Sequence, residues 1–149
     1  MTKKFKKINV YLLFVISLLV LSACTKQQIT SQTEAEKVVR TYFEAWDSQD
    51  WKTMYSLISD GFKEIDPNAK TLVDFEAFAS SQGITSVKIN LIKEKINDGK
   101  QATVDYDVTF IINGKTTPFQ STFTVKYKPN DAQPGWKLIH PYGDNNDTS

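Results

Sequence analysis

The sequence predicts an α+β domain: three N-terminal helices packed on a curved four-stranded antiparallel sheet. Three observations predict it. Apolar residues recur at helical spacing from residue 35 to residue 79. After Gly83 the period drops to two, with turn residues between the alternating runs. One face of the resulting sheet is strongly apolar, and only the helices are available to cover it.

The first helix opens on Thr33-Glu34-Ala35-Glu36, a capping box in which Thr33 accepts from the third helical amide and Glu36 reaches back. Ala35, Val38, Val39, Tyr42, Phe43 and Trp46 then form one stripe, ending near Asp47. Asp50 caps a second, shorter helix with Trp51, Met54, Tyr55 and Ile58 inward, and Asp60-Gly61 is expected to end it. Residues 62–70 are expected to be irregular, with Pro67 holding Asp66 extended. Thr71 with Asp74 caps the third helix; Leu72, Phe75, Phe78 and Ala79 are its stripe and Gly83 its stop.

The first strand alternates at Val87, Ile89 and Leu91 and continues to Ile96. Asn97-Asp98-Gly99 turns the chain into a long strand with Ala102, Val104, Tyr106, Val108, Phe110 and Ile112 on one face. Thr103, Asp105, Asp107 and Thr109 form the opposite, wet face. Asn113-Gly114 is the strongest hairpin signal in the chain. Phe119, Ser121, Phe123, Val125 and Tyr127 give the third strand, with Pro118 marking an edge or strand end. Trp136, Leu138 and His140 give the last, stopped by Pro141. The polar tail 143–149 is expected to be disordered.

Ahead of the domain lies a different kind of sequence. Lys3, Lys4, Lys6 and Lys7 precede an apolar run at residues 10–21 whose one polar member is Ser17. As a helix that run covers roughly 18 Å, against a hydrocarbon core of roughly 30 Å, so a signal segment fits better than a permanent span. It ends in Leu21-Ser22-Ala23-Cys24, which holds the only cysteine of the chain. This stretch resembles the lipobox of bacterial lipoproteins. The resemblance implies that residues 1–23 are a signal peptide recognised through Leu21, Ser22 and Ala23. It also implies that Cys24 is acylated, with palmitate-type chains, and becomes the first mature residue. Two acyl chains at about 0.8 kcal/mol per buried methylene make a stable anchor where one is marginal. Residues 24–33 then read as the lipidated cysteine and a tether, and the expected location is the extracytoplasmic face of the cell membrane. Lipoprotein-processing enzymes are the implied partners.

Cleavage there changes the charge. The chain of 149 residues carries 18 basic and 17 acidic side chains; removing the four leading lysines leaves 14 against 17, a net of −3. A mildly acidic domain argues against nucleic acid as a partner. The aromatic content, nine Phe, six Tyr and three Trp, supplies the core that a chain without disulfides needs. A His/Cys cluster for zinc and a glycine-rich phosphate loop are both missing from the sequence, so no metal and no cofactor is expected.

Residues 34–142 resemble the NTF2-like (cystatin-like) cone fold. The resemblance rests on the opening helix Ala35-Glu36-Lys37-Val38-Val39-Arg40-Thr41-Tyr42-Phe43-Glu44-Ala45-Trp46, the second helix beginning Asp50-Trp51, and the closing Gly135-Trp136-Lys137-Leu138-Ile139-His140. With Ile84-Thr85-Ser86-Val87-Lys88-Ile89, it is most similar to the NTF2-like N-terminal domain of low-affinity penicillin-binding proteins of the staphylococcal methicillin-resistance type. That implies an extracytoplasmic module without chemistry of its own that positions a transpeptidase. Ser-x-x-Lys is missing and Lys115-Thr116-Thr117 is not Lys-Thr-Gly, so the accessory domain alone is expected here. The function expected is that of a lipid-anchored accessory or binding domain, cell-envelope related, with an envelope protein as partner. The alternative is a small-ligand-binding or enzymatic protein that uses the cone pocket.

Relatives that use the cone place His, Asp and Tyr in it. His140 is the only histidine, and a strand-end role suits it better than catalysis. Asp105 and Asp107 belong to the solvated face. No catalytic residue is therefore assigned, and Tyr42, Trp46 and Tyr106 are the candidate pocket lining, each an apolar body with a hydrogen-bonding tip. The resemblance also allows a dimer paired through the sheet.

Overall fold

The computed structural model describes residues 32–149. The lipobox residues Leu21, Ser22, Ala23 and Cys24, with the signal segment and most of the tether, lie outside the described residues. Helix α1 is Glu34–Asp47, α2 Trp51–Ser56, α3 Asp60–Ile65 and α4 Leu72–Ser81. Strands β1 Ile84–Asn97, β2 Gln101–Ile112, β3 Lys115–Lys128 and β4 Gly135–Leu138 follow, forming one antiparallel sheet in the order β1-β2-β3-β4. The α+β class is the one the sequence predicts.

The helix starts are chemical. The Glu36 amide donates to Thr33 Oγ1 and the Thr33 amide to Glu36 Oε2, both at 3.2 Å, so the capping box is complete. Asp50 and Thr71 accept from the Thr53 and Asp74 amides at 3.0 and 3.1 Å. Helix α3 corrects the expectation of irregular chain after Asp60-Gly61. Ser59 caps it by accepting from the Phe62 amide at 3.2 Å, and Phe62 is fully buried. Gly61 is not a stop. A Cβ there would lie 2.5 Å from the Asp147 carboxylate, so the glycine makes room for the tail.

That tail is the second correction. Residues 143–149 were expected to be disordered, yet they fold back on the domain. Asp147 is 2% exposed and pairs with Lys128 Nζ at 2.8 Å. Its amide donates to the Ile139 carbonyl at 2.9 Å, and Asn145 Nδ2 to Asp66 at 3.0 Å. Polar composition misled because these polar groups satisfy one another inside the fold.

The sheet curves where its ladder slips. The β1–β2 register shifts between Ile84 and Ser86, Ile89 and Leu91, and Glu94 and Ile96, and each irregularity bends the strand. The β2–β3 ladder has no shift and closes through Asn113-Gly114, both at positive φ (49° and 76°) as a tight primed turn requires. Helix α1 lies against the concave face. Phe43 packs on Tyr106 and Phe123 (ring centroids 4.9 and 5.8 Å), beneath Tyr42. A second aromatic group, Phe62, Phe75, Phe78 and Tyr142, fills the space between α3, α4 and the tail.

The sheet edges differ. Along β1, the Val87 amide donates to Asp47 Oδ1 (2.7 Å) and the Glu94 amide to Glu36 Oε1 (2.9 Å), so carboxylates of α1 occupy outward donors. Along β3, β4 covers only Val125 to Lys128. Residues 115–122 are exposed, and among the described residues no strand lies outside them.

Candidate functional site

The concave face leaves a cavity of about 540 Å³ between α1, the middle of β2 and β3, and the segment that follows β4. Its shape comes from strand parity. Tyr106, Phe110 and Ile112 point into it from β2, and Thr117, Phe119, Ser121 and Phe123 from β3. Phe43 and Trp46 of α1 form one wall, and residues 140–143 another.

Two of the three expected lining residues are in place. Trp46 and Tyr106 line the cavity. Tyr42 does not. It is 1% exposed and sits behind the wall, edge-on to Trp46 at 5.8 Å and Phe123 at 5.9 Å. One helical turn separates Tyr42 from Trp46, and the stripe is wide enough that its centre is core and only its end reaches the opening. Phe119, Ser121, Phe123, Phe110 and Tyr142 were not anticipated. The first four share parity with Tyr106 on paired strands (Tyr106 faces Ser121), a signal the sequence does carry. Tyr142 is brought in by the folded tail, which composition hid.

The chemistry of the lining is quiet. Burial pushes the Tyr42 phenol far above its ordinary range, with the Tyr142 and Tyr106 phenols adding to it. Burial also raises Tyr106. Tyr142 is raised by burial first and then by the Asp66 carboxylate, 3.5 Å from its hydroxyl. All three therefore stay protonated at neutral pH and offer no base. His140 is exposed, and its Nε2 donates to the Gly143 carbonyl at 2.5 Å. Asp105 and Asp107 lie on the other face, where Asp105 accepts from Thr122 (2.7 Å) and Asp107 from Asn90 (2.8 Å) and Gln120 (2.6 Å). Among the described residues no carboxylate lines the cavity. The buried Tyr42 hydroxyl and Trp46 Nε1 have no hydrogen-bond partner among the described residues.

A second hollow, lined among others by Asp50, Tyr55, Asp60 and Lys63, collects the charged groups between α2, α3 and the β3–β4 loop. Its charges are spent on structure. Asp60 pairs with Lys63 at 2.9 Å and accepts from the Ala132 amide at 2.6 Å, while Asp131 accepts from the Asp60 amide at 3.0 Å. Lys137 Nζ donates to the Ser56 carbonyl, and burial lowers its basicity. Among the described residues no group of three or more His, Cys, Asp or Glu could hold a metal ion.

The family model described as the NTF2-like N-terminal transpeptidase domain matches residues 34–141. No curated protein matches the chain. Among solved structures, a SEC-C motif containing protein from Psychrobacter arcticus aligns with a TM-score of 0.53 at 14% identity, over 80% of this chain and 65% of that one. This chain thus spans less than two thirds of that protein. An NTF-2 like protein of unknown function from Shewanella oneidensis MR-1 aligns with a TM-score of 0.51 at 13% identity, over 68% of this chain and 88% of that one. Likeness at such identity shows the fold alone.

Proposed function

The chain belongs to the family of NTF2-like N-terminal transpeptidase domains, and from that premise we propose that it is a non-catalytic accessory or binding domain, held by lipid on Cys24 at the extracytoplasmic face of the membrane. The observation that carries the non-catalytic reading is the cavity lining. It offers aromatic rings and hydroxyls, one imidazole already bonded to a backbone carbonyl, and the phenols of Tyr106 and Tyr142, held in their neutral form. Proton transfer needs a group poised to change charge near neutral pH, and the carboxylates that would pair with His140 lie on the far side of the sheet. The anchor rests on Leu21-Ser22-Ala23-Cys24 and the lysine-headed apolar run before it.

The second reading, a small-ligand protein, draws on the open cavity itself. Its ligand is neutral and mostly apolar, because the lining would leave a buried charge unpaired.

Two experiments test the proposal. Fractionation of cells making Cys24→Ser is expected to find the protein released from membranes or retained as the uncut precursor; normal processing of that variant would overturn the anchor. Crosslinking the native protein in cells and purifying it under denaturing conditions is expected to yield a specific envelope partner, and recovery at background level would remove the accessory role.

A further inference from the structure

The open edge of β3 and the cavity are parts of one surface. Two hydrogen bonds fix which backbone groups point out of the sheet. The Tyr127 amide donates to the Lys100 carbonyl (2.7 Å), so odd-numbered residues of β3 turn their backbone groups toward β2. The Ile139 amide donates to the Thr124 carbonyl (3.4 Å), so even-numbered residues turn theirs toward β4. The β2–β3 register is unbroken from Gln101↔Lys126 to Ile112↔Lys115, so this parity runs the whole strand. Beyond β4, the backbone groups of Thr116, Gln120 and Thr122 therefore face outward, with no strand of the described residues beside them. Pro118 falls on the same side, where its missing N–H costs the β2 ladder nothing.

The cavity reaches that edge. Thr122 and Thr124 carry their side chains on the wet face, yet both border the cavity, which places its mouth over the strand's outer backbone. The opposite wall is residues 140–143, which follow the end of β4. A chain segment continuing the line of β4 would bond to the outward groups of β3. Every second side chain of it would then point into the cavity.

Resting on the accessory reading above, we propose that the outer edge of β3 is a strand-addition site for an extended, uncharged segment of a partner protein, one of whose large apolar side chains fills the cavity. The lining selects this chemistry. Phe119, 48% exposed, stacks on Tyr106 at 6.1 Å and presents a ring to the opening. With no carboxylate or ammonium of the described residues in the wall, a charged side chain would be desolvated without a counterion. On β1, by contrast, Asp47 and Glu36 of α1 occupy two of the outward donors, those of Val87 and Glu94. A second copy of this chain is a worse fit. Pairing two β3 edges about a two-fold axis repeats the Pro118 gap in both strands, and the inward side chains of each β3 already line their own cavity.

The test uses the full chain in detergent micelles and a short probe peptide alternating threonine and valine about a central phenylalanine. The amides of Thr116, Gln120 and Thr122 are expected to exchange rapidly in the free protein and to slow by about tenfold or more with the probe. N-methylation of the two threonine amides flanking the phenylalanine is expected to abolish binding, because in antiparallel pairing those amides face β3; N-methylation of the valine amides leaves it intact. Gln120→Pro removes an outward donor and is expected to weaken the probe by about tenfold, while Gln120→Ala, which loses the same side chain and keeps the N–H, binds as the parent does. Equal binding by Gln120→Pro, or indifference to the position of N-methylation, would overturn the site. Concentration-dependent dimers in which Thr116, Gln120 and Thr122 are protected without probe would overturn the occupant. Either failure, with a specific partner still crosslinked in cells, would leave the accessory reading standing.

Discussion

The two outer edges of one sheet have been treated in opposite ways. On β1, α1 lies alongside and lends two carboxylates to the strand: Asp47 takes the Val87 amide and the Ser86 hydroxyl, and Glu36 takes the Glu94 amide while also closing its own helix's capping box. On β3, the covering strand ends after four residues and the edge stands exposed beyond it. An unpaired edge is a template for association, and proteins usually blunt it. Here the blunting is done with ionised side chains at one edge and with a single proline at the other. Under the proposal above, that difference marks the edge at which the molecule meets a partner. The closed edge adjoins the helix that carries the chain's N-terminal side; the open one adjoins the cavity.

The largest effect is expected from a change that both edges depend on. Phe43→Ala empties the space between α1 and the sheet and should cost about 3–5 kcal/mol in denaturant unfolding, loosening both edges together. Asp47→Ala should break the asymmetry from the closed side. Losing hydrogen bonds to a charged acceptor should cost about 1–3 kcal/mol, and the newly bare β1 edge should make the chain self-associate, seen as concentration-dependent sedimentation. A pair of prolines sharpens the comparison within β3. Ser121→Pro removes a donor aimed at β2 and should cost about 1–3 kcal/mol beyond Ser121→Ala, whereas Thr122→Pro removes one aimed at solvent and should fall within about 0.5 kcal/mol of Thr122→Ala, which loses the same hydroxyl bond to Asp105. Equal costs would show the parity to be misread.

The smallest effect at neutral pH concerns the tail that closes the end of β3 beside β4. Burial alone would push the Asp147 carboxyl up, but Lys128, Ser149 and Ser59 outweigh it and hold it at about 2, below its ordinary value of 3.8. A carboxyl depressed on folding stabilises above its unfolded value, and that contribution is lost as pH falls through the folded one. The tail should therefore stay docked at neutral pH and detach only as the pH drops from about 4 towards 2, followed by exchange of the Asp147 amide. Release at higher pH would contradict the pairing with Lys128.

Much of this was legible in the sequence because it is local. Thr33 with Glu36, Thr71 with Asp74, and Asn113-Gly114 each specify a cap or turn within four residues, and each forms as read. The alternation in β2 gave the concave face, and with it Tyr106. What was not legible depends on distant partners. Helix α3 looks like a helix stop until Asp147, far along the chain, explains Gly61. Tyr42 and Trp46 share a stripe, and only the packed sheet decides that one is core and the other wall. The asymmetry of the edges is written in Glu36 and Asp47, whose spacing on α1 acquires meaning only once β1 lies beside them.

The most direct measurement is amide hydrogen exchange, residue by residue, on the full chain without any ligand. Protected amides at Val87 and Glu94, with rapidly exchanging ones at Thr116, Gln120 and Thr122, is the predicted pattern. Protection at Thr116, Gln120 and Thr122 equal to that at Val87 and Glu94 would mean that the β3 edge is already covered, and would contradict the account.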